Sequence, residues 1–233
     1  MAGKLYLIPT PLGIGKTQNY LDQESLTIIS QIKHFIVEEE RTARRFLSSL
    51  KIGINIPELT LHLMNEHTKP LEMMHYLDPI ADQNIGLMSE AGVPCIADPG
   101  NLIVQMAHQK GIQVVPLIGP SSIIMALMAS GLNGQNFAFN GYLPINSQER
   151  VNKLRQLEKR SVTEHQTQIF IEAPYRNMQL LKDITEACNP ATRIGIAVDL
   201  TLETEFIKTT TVKEWRQKLP EIHKRPAIFL LQG

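Results

Sequence analysis

The 233 residues carry 23 Lys and Arg against 23 Asp and Glu, so the formal net charge is zero, and 43% of the chain is hydrophobic. That balance fits one large globular domain or two of about 100 residues each, with a core that needs no metal or disulfide staple. A neutral chain has no general attraction for a polyanion, so any nucleic-acid contact must come from a local basic patch. Residues 4–8, KLYLI, are a short apolar run that stops at Pro9; with Pro11, Gly13 and Gly15 following, it reads as a buried strand and a Pro/Gly-rich turn. Leu26, Ile28, Ile29 and Ile32 recur at helical spacing. Residues 34–37 read as a second strand, and 42–50 as a helix with Phe46, Leu47 and Leu50 on its apolar side. Residues 70–80 read as a helix with Pro70 in its first turn. A strand over 85–88 is followed by the loop SEAGVP (89–94), and the turn Asp98-Pro99-Gly100 starts a helix bearing Leu102, Ile103, Met106 and Ala107. A strand over 112–117 leads to Gly119-Pro120-Ser121-Ser122, which opens a helix through Met128. Strands alternating with helices imply parallel βαβ units, whose ligands bind beyond the carboxyl ends of the strands, where these loops fall.

After about residue 120 the pattern changes. Strands are expected over 137–142, 168–171 and 227–231, and an antiparallel pair over 193–198 and 204–209. A polar helix spans 148–159, a second helix 175–188 and a short one 213–219. This half reads as a mixed α+β domain. The expected division is an N-terminal α/β domain over 1–117 and a mixed domain over 118–233, with a cleft between them.

Cys95 and Cys188 stand far apart and outside any CxxC pattern, which argues against a zinc ribbon and a disulfide framework. No His/Cys/Asp cluster has ligand spacing, so no metal is expected. No apolar run approaches the roughly 20 residues that span a bilayer. Met1-Ala2-Gly3-Lys4 leads directly into a strand-like stretch rather than a signal peptide. A soluble, cytoplasmic protein without membrane contact is expected. Gly15-Lys16-Thr17 fails as a phosphate loop, because the first glycine of GxxxxGK[ST] would fall on Thr10. A GxGxxG fingerprint fails as well, with Gln18 where its third glycine belongs.

Taken together, the strand-end loops resemble those of the tetrapyrrole methylase superfamily, and within it the bacterial small-subunit ribosomal-RNA 2′-O-ribose methyltransferases. The resemblance is carried by LYLIPTPLG (5–13), GLMSEAGVPCIADPG (86–100), VVPLIGPSSIIMALMASGL (114–132), FNGYLP (139–144) and IFIEAPYRN (169–177). It implies two α/β domains with S-adenosylmethionine (SAM) folded into the cleft, and usually a homodimer. It implies that Ser89, Glu90, Ala91 and Gly92, with Ile96 and Asp98, hold the methionine and ribose parts of SAM. Pro11, Ser121 and Ser122 would lie beside it, and Gly141, Leu143, Pro144, Glu172 and Ala173 would frame the adenine. SAM has no phosphate to anchor, so loops offering main-chain donors and acceptors suit it better than a cationic phosphate loop.

This sequence departs from the family pattern at several places. The Ala-Glu-Asp-Thr-Arg stretch after the second strand stands as Glu38-Glu39-Glu40-Arg41-Thr42, with the Thr-Arg order inverted. Glu90 and Val93 replace Asp and Thr in the SDAGTP loop, and Val198-Asp199-Leu200-Thr201 replaces Arg-Glu-Leu-Thr. The small C-terminal helical domain of longer members has no counterpart before Gly233.

A ribose hydroxyl is a poor nucleophile until deprotonated, so a nearby carboxylate or histidine would help. Glu39, Glu40 and His67 are the candidates, with Glu90 also available. The alternative for the glutamates is an acidic helix start. Arg41, Arg44 and Arg45 are candidates for substrate phosphates, or for pairing with the neighbouring glutamates. The charged helix over 149–160 is a second possible RNA surface. The expected function is SAM-dependent methylation of a ribose 2′-hydroxyl in ribosomal RNA of the small subunit. A methylase of a tetrapyrrole or other metabolite, and a non-catalytic SAM-binding module, are the alternatives.

Overall fold

The computed structural model describes residues 3–13, 20–65 and 68–233, and the chain forms two compact units, Met1–Ser121 and Ser122–Gly233. In the first unit, β1 (Leu5–Ile8), β2 (His34–Val37), β3 (Thr60–Leu63), β4 (Ile85–Met88) and β5 (Val114–Pro116) make a sheet in the order β3-β2-β4-β1-β5. Every pairing in it is parallel. Among the described residues it is accompanied by the helices α1 (Gln23–Ser30), α2 (Glu40–Ser49), α3 (Pro70–Met73) and α4 (Asn101–Gln109).

Crossover handedness explains where those helices lie. The chain moves outward from β1 to β2 to β3 through α1 and α2, then back through α3 to β4 and through α4 to β5. Right-handed crossovers in opposite directions put their helices on opposite faces. The cores agree: Phe46, Leu47 and Ile29 pack with Ile8, Phe35 and Val37 on one face. Ile103, Ala107, Met73 and Leu77 pack with Leu5, Ile36, Ile85 and Leu87 on the other. The sheet changes direction of growth between β1 and β4, and a crevice opens beyond the carboxyl ends of strands at such a switch point.

The second unit begins with α5 (Ser122–Ser130) and continues through β6 (Phe137–Tyr142), α6 (Ser147–Glu164), β7 (Thr167–Ile171), α7 (Asn177–Ala187), β8 (Arg193–Val198), β9 (Phe206–Thr211), α8 (Val212–Trp215) and β10 (Ala227–Gln232). The strand order is β6-β7-β10-β8-β9. β6 and β7 are parallel and the remaining pairs antiparallel, so the sheet is mixed as expected. Leu154 and Leu157 of α6 and Leu180, Leu181 and Ile184 of α7 close over Phe170, Ile196 and Phe229. Arg150 of α6 and Asp183 of α7 are both buried and form an ion pair at 2.5 Å.

Several boundaries differ from expectation. β3 is an added edge strand: TLHL is short, carries Thr60 and His62, and is only half-buried, so it lacks the continuous apolar run of its neighbours. The helix expected over 70–80 is broken into α3 and a 3₁₀ turn, Asp78–Ala81, with Pro79 early in the turn. Proline has no N–H to continue an α-helix across this point. The expected strand over 204–209 is shifted to Phe206–Thr211, because a turn holds residues 199–205, with Glu205 accepting the Thr201 N–H at 2.7 Å. The polar helix runs on to Glu164 and stops where His165 turns left-handed at φ 50°.

Candidate active site

The site grows from the carboxyl ends of β1, β2 and β4. Thr10, just after β1, is buried, and its backbone exchanges hydrogen bonds with Gly92 at 2.9 and 3.1 Å. Its hydroxyl donates to the Ser89 and Gly92 carbonyls. The two loops are thereby clasped into one wall. Gly92 is required there: its φ is +80°, and a Cβ would meet Leu12 Cδ2 at 3.1 Å and the Pro120 carbonyl at 3.4 Å. Gly119 is required for a different reason, since a Cβ would lie 2.2 Å from the Pro9 ring.

The loop from Gly92 onward is backbone-strained. Cys95 and Ala97 adopt φ of 69° and 65°, which side-chain-bearing residues rarely adopt. Burial pushes the Cys95 thiol up to about 11, with the Asp98 charge adding to it, which disfavours the thiolate. Asp98 is itself held above the usual carboxylate range, mainly by burial and also by the Glu90 charge, against the opposing pull of the Ser89 hydroxyl.

A cavity of about 340 Å³ lies between these loops and α2. Val37, Phe46 and Met88 give it an apolar floor, and Glu38, Glu39, Glu90, Arg45, Pro11, Ser89 and Ala91 line the rest. Glu38, the first residue after β2, accepts the Glu90 N–H at 3.2 Å. Glu39 caps α2: its carboxylate accepts the Arg41 N–H at 2.9 Å, the Thr42 N–H at 2.6 Å and the Thr42 hydroxyl at 2.7 Å. Those bonds, the Arg41 N–H first, hold its carboxyl below the usual range.

The structure thus brings together Pro11, Ser89, Glu90, Ala91, Glu39 and Arg45 around one cavity. Gly92 joins them through the Thr10 clasp, and Asp98 follows, half-buried, on the same loop. Glu40 is exposed on the helix and pairs with Arg44 at 3.5 Å, while Arg44 also donates to the Ile56 carbonyl at 3.0 Å. Arg41 is exposed. Ile96 is 52% exposed. Ser121 ends the first unit and Ser122 begins α5 in the second. His67 and the Gly15-Lys16-Thr17 segment lie outside the described residues. Among the described residues no group of three or more His, Cys, Asp or Glu could hold a metal ion, and no helix is long and apolar enough to cross a membrane.

In the second unit, Gly141 lies at the end of β6, Leu143 and Pro144 follow that strand, and Glu172 and Ala173 follow the neighbouring β7. The Leu143 side chain belongs to the core. Arg150 holds this loop by donating to the Pro144 and Ile145 carbonyls at 3.1 and 2.7 Å. Glu38 and Thr10 also line the cavity and are not among the residues expected there from the sequence. Both sit just beyond the carboxyl end of a strand, the position rule that could have found them.

This arrangement is that of a known family. Residues 4–215 match the family model of tetrapyrrole (corrin/porphyrin) methylases, and the chain belongs to that family; it is a methyltransferase. Ribosomal RNA small subunit methyltransferase I of Vibrio cholerae is 33% identical over 232 residues, covering 98% of this chain and 77% of that protein. The protein of the same name from Haemophilus influenzae is 33% identical over 236 residues, covering 100% and 80%. Among solved structures, the methyltransferase CobJ superposes with a TM-score of 0.64 at 16% identity, covering 100% of this chain and 95% of that one. The precorrin-6Y methylase CbiE of Archaeoglobus fulgidus does so with a TM-score of 0.57 at 12% identity, covering 99% and 98%. These two establish the likeness of fold.

Proposed function

We propose that this methyltransferase uses SAM and methylates a ribose 2′-hydroxyl of small-subunit ribosomal RNA. The observation that carries the substrate is the 33% identity, over 98% of this chain, to a protein named ribosomal RNA small subunit methyltransferase I. The cavity suits SAM by its own chemistry. Its volume of about 340 Å³ lies in the range of small-molecule sites. The Glu38, Glu39 and Glu90 carboxylates around an apolar floor favour a cationic sulfonium and ammonium over a phosphorylated cofactor. The clasp fixes residues 89–92 as one wall, against which the methionine part would lie, with the half-buried Asp98 further along the same loop. When bound, SAM supplies an electrophilic methyl group on sulfur.

The chain's own residues then have distinct tasks. Glu38 would take the proton from the attacking hydroxyl. Its carboxylate lines the cavity, and the Glu90 N–H orients it. Glu39 is the weaker choice, because its carboxylate is engaged in capping and its proton affinity is lowered. Arg45, on the cavity wall, would hold a substrate phosphate, since a guanidinium fork matches phosphate oxygens. Arg44 would serve the fold instead, through Ile56 and Glu40.

The test is methyl transfer from radiolabelled SAM to small ribosomal subunits taken from a strain lacking the gene, beside a metabolite extract of the same strain. Label in the ribosomal RNA, mapped to a ribose by digestion, is the expected result. Label confined to small molecules would overturn the RNA substrate.

A further inference from the structure

The ends of β6 and β7 carry a group of side chains that the methyl-transfer cavity does not use. Tyr142 and Tyr175 are 61% and 60% exposed. Arg176 lies against Tyr175, its guanidinium carbon 5.1 Å from the ring centroid, and donates from Nη1 to the Tyr175 hydroxyl at 2.8 Å. From the other side, Nε and Nη2 donate to Glu172 Oε1 at 2.8 and 2.5 Å. The Glu172 side chain is fully buried, and its second oxygen, Oε2, has no hydrogen-bond partner. Tyr142, paired in register with Ile171, is near enough to act on the Arg176 charge.

An arginine on a long flexible stem normally loses rotamer entropy when it binds. Here it is already ordered by a buried carboxylate and a phenol. The result is a flat, polarisable surface beside an ordered guanidinium that is paired with Glu172. Aromatic rings and guanidinium planes of this kind stack unpaired nucleobases, while the cation attracts the adjoining phosphate.

We propose that Tyr175, Tyr142 and Arg176 form a stacking platform for an unpaired nucleobase of the RNA substrate. This assignment rests on the ribosomal-RNA reading above. The adenine of SAM shares the same flat chemistry, so the test separates the two sources.

The probe is a short single-stranded oligoribonucleotide containing 2-aminopurine, titrated at fixed low salt into the full chain, with SAM affinity measured separately by calorimetry. Tyr175→Ala is expected to weaken oligonucleotide binding about tenfold and to leave SAM affinity unchanged. Tyr175→Phe, which keeps the ring, is expected to bind the oligonucleotide as the wild type does and so controls for folding. Equal oligonucleotide affinity in Tyr175→Ala and wild type overturns the platform, as does a parallel loss of SAM affinity. The two readings fail separately. Wild type that methylates small subunits while Tyr175→Ala binds RNA equally well removes the platform and leaves the substrate. A tenfold defect in Tyr175→Ala without methylation of small subunits keeps the platform and removes the ribosomal target.

Discussion

Glu38 and Glu90 lie 52 positions apart, yet the Glu90 N–H donates to the Glu38 carboxylate at 3.2 Å, tying the end of β2 to the loop after β4. The contact fixes a carboxylate at the cavity wall. Two consequences can be separated by substitution. Glu38→Gln keeps an oxygen acceptor for the Glu90 N–H and removes the basic oxygen. Its turnover is expected to fall by about 10²- to 10⁴-fold, the usual contribution of a general base, with SAM affinity weakened far less, because the Glu39 and Glu90 carboxylates remain on the cavity wall. Glu38→Ala loses the loop contact as well, so its SAM affinity should also weaken. Steady-state kinetics beside calorimetry check this, and a Glu38→Gln enzyme of wild-type turnover would remove Glu38 from the chemistry.

Glu39 is expected to act on stability instead. Its carboxylate satisfies two otherwise unpaired N–H groups at the start of α2. Its folded-state proton affinity is lowered, first by the Arg41 N–H. The unfolded chain therefore binds the proton more readily, and the capping contribution is complete above the usual carboxylate pKa of about 4.3. It is lost as pH falls below that value. Glu39→Ala should lower Tm by a few degrees at neutral pH, and the difference from wild type should vanish in acid. Thermal melts across that range test it.

The choice between these adjacent glutamates was not legible in the sequence. Three identical side chains follow β2, and which one faces the cavity depends on where the strand stops and α2 starts. The helix begins at Glu40, so Glu39 becomes the cap and Glu38 points into the site. The strand-end loops were legible because buried parallel strands read as apolar runs and their Gly- and Pro-bearing turns punctuate them. β3 was not, because half-exposed Thr60 and His62 break its apolar pattern. Nor was the Thr10–Gly92 clasp, which pairs residues 82 positions apart.

Arg150 and Asp183 make the opposite case, a pair that serves the fold. Each side chain is only 3% exposed, and they meet at 2.5 Å. Arg150→Ala leaves the Asp183 charge buried and uncompensated, which costs about 3–5 kcal/mol. It also frees the Pro144 and Ile145 carbonyls that Arg150 holds. Urea unfolding should show the loss of stability. Replacing both residues together, Arg150→Met with Asp183→Leu, is expected to recover much of it, because no lone charge then remains.

The edge of the first sheet carries an acid sensitivity of its own. His34 of β2 and His62 of β3 stack with centroids 6.0 Å apart, and His62 continues onto Tyr76 at 5.0 Å. His34 Nδ1 and His62 Nε2 are buried without hydrogen-bond partners. Burial, and then the charge of His34, lowers the His62 pKa. Tyr76 cannot compensate, since its hydroxyl already donates to the Leu63 carbonyl at 2.7 Å. An imidazole whose folded pKa is lowered leaves the unfolded chain binding more protons, so its contribution is intact above the usual value of about 6.5 and is lost as pH falls below it. Wild-type Tm should therefore drop on going from pH 7 to pH 5. His62→Phe keeps a ring against Tyr76 and removes the titrating group, so its drop should be smaller. Equal drops in the two proteins would place the acid sensitivity elsewhere.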